Sequence, residues 1–128
     1  MPDMGYRDNV MGPQPIAGRK AIPQSLLDTV ARILDLLNDG KGSELTAMAV
    51  DTAKDETAKL ASAVKAGTYN DKSVLATART NEHYWIKARL IGPDAKPLTV
   101  QFRLGPDGES WLIWEAANLS DARSAWTR

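Results

Sequence analysis

Leu26, Leu27, Val30, Ile33, Leu34 and Leu37 recur at three- and four-residue intervals, the spacing of a helix with one buried stripe. Pro23 suits the first turn of that helix, and Asn38, Asp39 and Gly40 supply its stop. Asp28, Arg32 and Asp35 fall on the opposite face, where opposite charges pair weakly in water. The two aspartates point away from any pocket beneath the helix, so a solvated face is the better reading than a catalytic carboxylate pair.

A second helical stretch is predicted through Glu44, Leu45, Met48 and Ala49, with Ser43 as its cap, and a third, rich in Ala and Lys, over about 55–66. One continuous helix and two separate ones both fit. Leu60 and Val64 mark the buried side, and Asp55 with Lys59 the solvated one. Gly67 and the polar run from Tyr69 to Lys72 close this half.

From Ser73 the period changes to two, with turn clusters at 81–82, 92–96 and 105–108. Four strands are predicted, at about 73–80, 83–91, 97–104 and 111–119, pairing as successive antiparallel hairpins. The expected fold class is therefore α+β, with N-terminal helices packed on a curved four-stranded antiparallel sheet. With loops of about five residues, Leu90 faces Leu98, Ala88 faces Val100, Ile86 faces Phe102 and Tyr84 faces Leu104. In the next hairpin Phe102 faces Leu112, Val100 faces Trp114 and Leu98 faces Ala116. This register gathers the apolar side chains on one face, which must receive the helices.

The opposite face then carries Trp85, Lys87, Arg89, Thr99, Gln101, Arg103, Trp111, Ile113 and Glu115. Trp85 and Trp111 would flank Arg103, a geometry that permits cation–π stacking. Two tryptophans and an isoleucine exposed together form a patch that monomers avoid, and Trp and Arg are enriched at binding hot spots. The expected interface is Trp85, Gln101, Arg103, Trp111 and Ile113, serving a homodimer or a partner subunit. The alternative is that the N-terminal arm or the C-terminal tail covers the patch.

Composition narrows the function. The 128 residues hold sixteen basic and sixteen acidic side chains, so no global positive field attracts nucleic acid. No cysteine is present and His83 is the sole histidine, which excludes thiolate chemistry and leaves no His- or Cys-based metal site. Neither phosphate-loop motif occurs, and no cofactor is expected. No stretch approaches the roughly 20 apolar residues that span a bilayer. The expected compartment is the cytoplasm, or the periplasm or exterior if a leader has been removed.

Residues 1–22 are rich in Pro and Gly yet carry Met4, Tyr6, Val10, Met11 and Ile16. They read as an arm, either frayed or docked on its own domain or a neighbour, and residues 121–128 read as a tail. Among ionisable groups, His83 sits at a strand entrance on the outer face, where a structural role outweighs acid–base work. Asp51, Asp55 and Glu56 could meet near a pocket mouth, but solvated surface is favoured.

The segments SLLDTVARILDLLNDGK, HYWIKARLIGPDAKPLTVQFRLGPDG and SWLIWEAANLSD, spanning about residues 23–120, resemble the nuclear-transport-factor-2-like (cystatin-like) superfamily, particularly its small bacterial members. That resemblance implies a cone-shaped α+β roll whose sheet wraps a pocket against the helices. It also implies a range of functions from cyclases and isomerases to non-enzymatic binding domains. Cyclase and isomerase types place acidic or His residues in the pocket. The expected inward positions, including Tyr84, Ile86, Phe102, Leu112 and Trp114, are almost wholly apolar, which argues against acid–base catalysis. These five could instead line a small apolar ligand cavity. The first reading is a non-enzymatic interaction domain using the outer sheet face. The second is a small-molecule binder or cyclase- or isomerase-like enzyme using the pocket beneath helix one.

Overall fold

The computed structural model describes residues 22–120, so the expectations for the arm and the tail lie outside the described residues. Helix α1 spans Gln24–Asn38 and begins on the Pro23 carbonyl, which accepts from the amides of Leu26 and Leu27. It buries Leu26, Val30, Ile33, Leu34, Leu36 and Leu37. Its end is a Schellman motif: Gly40 adopts φ +73°, the Lys41 amide donates to the Leu36 carbonyl, and the Gly40 amide to that of Leu37. Two of the outer-face charges of α1 find partners elsewhere in the chain, Arg32 with Glu44 at 3.9 Å and Asp35 with Lys72 at 2.5 Å, while Asp28 accepts from Gln24 within the helix.

The helical middle is broken. Helix α2 covers Gly42–Thr46, a 3₁₀ turn covers Asp51–Ala53, and α3 covers Lys54–Ser62. Ser43 lies inside α2, whose N-cap position is Lys41. The break has a structural use: the Ile113 amide donates to the Met48 carbonyl, and the Val50 amide to the Ile113 carbonyl, a parallel bridge at the sheet edge. The Lys54 ammonium donates to the Ala49 carbonyl, and also to the Thr46 carbonyl, which accepts from the Ala49 amide as well.

The sheet runs β1 (Asp71–Thr80), β2 (His83–Gly92), β3 (Ala95–Asp107) and β4 (Ser110–Asn118), in sequential antiparallel order. The fold is thus α+β with an open four-stranded sheet among the described residues. One sheet face meets the helices in a single core where Leu26, Ile33 and Leu45 pack with Ile86, Phe102, Leu104 and Ile113.

The β2–β3 register is the expected one, with Leu90, Ala88, Ile86 and Tyr84 opposite Leu98, Val100, Phe102 and Leu104. The β3–β4 register is not. Gly105, Pro106 and Asp107 continue the strand instead of forming a turn, and the loop shrinks to Gly108 and Glu109, with Gly108 at φ +64°. Phe102 therefore faces Ala116, not Leu112, and Val100 faces Asn118, not Trp114. A bulge then places Trp114 as the unpaired residue between Ile113, opposite Leu104, and Glu115, opposite Arg103.

Candidate functional site

That bulge decides which side chains share a face. Inserting one residue reverses the side-chain alternation on its far side, so Trp111 and Ile113 turn toward the helices while Leu112 and Trp114 turn outward. Ile113 is fully buried. Trp111 packs edge-on against Tyr84 at 5.7 Å, and its indole N–H donates to the Ser25 hydroxyl at 3.0 Å, pinning the start of α1 to β4. Neither residue belongs to the outer face on which the sequence pattern placed it.

The expected pocket set divides in the same way. Tyr84, Ile86 and Phe102 are buried in the core, whereas Trp114 is 38% exposed on the other side of the sheet. Leu112, half-buried opposite Gly105, goes with Trp114. The five residues therefore do not line one space.

The outer face carries the chemistry. Arg103 on β3 lies between Trp85 of β2 and Trp114 of β4, its guanidinium carbon 5.6 Å from each ring centroid. Its Nη2 pairs with Glu115 at 3.0 Å, and its Nη1 donates to His83 Nδ1 at 3.2 Å. Accepting from a permanently charged guanidinium requires Nδ1 to be unprotonated, which puts the ring proton on Nε2. His83 also packs on Trp114 with centroids 5.0 Å apart. This arrangement depends on Gly105, because a Cβ there would stand 2.6 Å from Trp114 Nε1 and 2.7 Å from His83 Nε2.

An open cleft of about 450 Å³ lies beside the cluster, lined by Thr80, Asn81, Glu82, His83, Trp85 and Arg103 among others. Further along the face Gln101 is half-buried, and its Oε1 has no hydrogen-bond partner among the described residues. Lys87 is 7% exposed, and burial first, then the like charge of Arg89, holds its ammonium below the usual lysine range.

The carboxylates reach no common site. Glu56 accepts from the Ala116 amide at 2.5 Å and so ties α3 to β4, while Asp51 and Asp55 are exposed. Among the described residues no group of three His, Cys, Asp or Glu side chains could hold a metal ion. Among the same residues no helix is long and apolar enough to cross a membrane. The sequence pattern placed Trp85, Arg103, His83 and Glu115 on the outer face but put Trp114 on the inner one, so it did not assemble the cluster around Arg103. The available signal was Gly105, a residue without a side chain where two rings need room above the backbone.

No protein-family model and no curated protein matches the sequence. Among solved structures, the chain is similar to a designed protein, a five-substitution variant of Rd1NTF2_05, with a TM-score of 0.55 and 14% identity over 74% of this chain and 97% of that one. At that identity the likeness concerns the fold, and it supports the nuclear-transport-factor-2-like architecture that the sequence resemblance implied.

Proposed function

We propose that this chain is a non-enzymatic interaction domain that binds a partner subunit or a second copy of itself through the outer face of its sheet. The observation that carries the reading is the Trp85–Arg103–Trp114 stack, which presents two indoles and a guanidinium on a face where no described element packs. An arginine already held between rings and paired with Glu115 has little side-chain freedom left to lose on binding. Such preorganised Trp and Arg side chains are the types that dominate interface energetics. The inner face, by contrast, is apolar core, and its buried cluster holds no carboxylate, histidine or lysine among the described residues.

Size-exclusion chromatography with light scattering tests this on the wild type and on Trp114→Glu. The wild type should run as an oligomer or with a co-purifying partner, and the substitution should yield a folded monomer. A wild-type monomer without a partner overturns the reading. The structure makes Trp114 the informative position, since a charge at Trp111 would disrupt the core contact with Tyr84 instead.

A further inference from the structure

Near the β2–β3 turn, a cleft of about 660 Å³ is lined by Tyr69, Arg89, Lys96, Pro97, Thr99 and Ser120 among others. Among the described residues two cations line it and no carboxylate does. Elsewhere among the described residues, basic groups such as Arg32, Lys72 and Arg103 meet Glu44, Asp35 and Glu115. Neither Arg89 nor Lys96 takes part in any ion pair among those residues.

The Arg89 Nε donates to the Thr99 hydroxyl at 3.3 Å, which fixes one edge of the guanidinium and leaves both Nη groups without an acceptor among the described residues. The far wall is ordered too: the Thr99 amide donates to the Ser120 hydroxyl at 2.7 Å, and the Ser120 amide to Asn118 Oδ1 at 2.9 Å. Unsatisfied guanidinium donors beside an ammonium are the arrangement that recognises a carboxylate or phosphate, Arg by its fork and Lys as a point charge. The Tyr69 ring and Pro97 add apolar surface beside these cations, and the cleft has the size of a small-molecule site.

Two other clefts lack this combination among the described residues. Beside His83, the guanidinium is already neutralised by Glu115, and Glu82 contributes an anion to the wall. The groove between α2 and α3 is lined by Gly42, Ser43, Ala58 and Ala61, among other residues, and carries no charged side chain among the described residues.

We propose that the Arg89–Lys96 cleft binds a small organic anion, a carboxylate or phosphate monoester on an apolar or aromatic body. Arg89 and Lys96 take the head group, and Tyr69 with Pro97 takes the body. This binding is separate from assembly through the Trp85–Arg103–Trp114 face.

Isothermal titration calorimetry of the full chain with benzoate and with phenyl phosphate tests it. At least one probe should bind saturably, and the preferred probe identifies the head group. Arg89→Gln and Lys96→Gln should each weaken binding about ten-fold or more, while Arg89→Lys retains part of it. Inorganic phosphate should bind at least about ten-fold more weakly than the preferred probe, because it gains nothing from the apolar wall. Lys96 is exposed, so Lys96→Gln serves as the variant whose melting temperature stays at the wild-type value. Absence of saturable binding by both organic probes, or unchanged affinity in the double Gln variant, overturns the proposal.

Discussion

The Arg103 guanidinium carbon lies 5.6 Å from the centroid of the Trp114 ring, although Arg103 pairs across the strands with Glu115 and Trp114 has no counterpart in the strand register. The bulge brings the ring to the arginine. A double-mutant cycle over Arg103→Met and Trp114→Leu, read by urea denaturation, should show a favourable coupling of about 0.5–1 kcal/mol. A second cycle over Arg103→Met and Trp85→Leu should give a similar value, since both rings stand at the same distance. The same cycle with Trp111 should give none, because that ring packs on Tyr84 across the sheet.

Ile113 and Trp114 are adjacent in sequence and opposite in burial, 0% and 38% exposed. Ile113→Ala should lower unfolding stability by about 2–5 kcal/mol, the range for a truncated core aliphatic. Trp114→Ala should cost far less and leave the denaturant slope unchanged. Equal losses would mean that the β3–β4 register is not the one described.

Gly105 provides the space for two rings. Gly105→Ala should destabilise by about 1–3 kcal/mol, the usual range for overpacking, because the new methyl displaces Trp114 or His83. Intrinsic fluorescence should shift in the same variant, and Gly108→Ala should not produce that shift, since nothing lies within 4 Å of a Cβ at Gly108.

Thr57 is fully buried in α3, and its hydroxyl has no hydrogen-bond partner among the described residues. Thr57→Val keeps the shape and removes the desolvated oxygen, so it should raise stability, by about 1 kcal/mol. Thermal melts of the two proteins check this, and a lower melting temperature in the variant contradicts it.

Lys87 gives stability a pH dependence of known sign. Its ammonium titrates below the 10.5 of an unfolded chain, by burial and then by the charge of Arg89. The unfolded state therefore binds more protons between the two values, and stability rises with pH across that window. Below the folded-state value the penalty is constant. Comparing wild type with Lys87→Met by denaturant titration from pH 7 to pH 10.5 isolates the contribution of this ammonium. The wild type should gain stability relative to the variant toward the top of the range, and parallel curves would contradict the assignment.

Much of the fold was fixed by local pattern. The stripe from Leu26 to Leu37 has helical spacing, and Gly40 ends it as a left-handed residue must. The alternation from Tyr84 to Leu90 and from Leu98 to Leu104 admits one register only, because a slip by one would bury Arg89 and Arg103. Those elements follow from side-chain periodicity alone.

Tertiary structure decided the last strand and with it the composition of both faces. Trp111, Leu112, Ile113 and Trp114 are all apolar and so satisfy either parity, and Glu115, which marks the solvent side, lies beyond the bulge that resets the alternation. The choice is made at a distance. Ile113 is claimed by the Met48–Val50 edge and by the core, Trp111 by Ser25 and Tyr84, and Trp114 is left to stack over Gly105 between His83 and Arg103. Each of those partners lies on another element, so no window of the sequence contains the reason. The sequence determined a helical layer on a hairpin sheet, and three-dimensional packing determined which tryptophan faces outward.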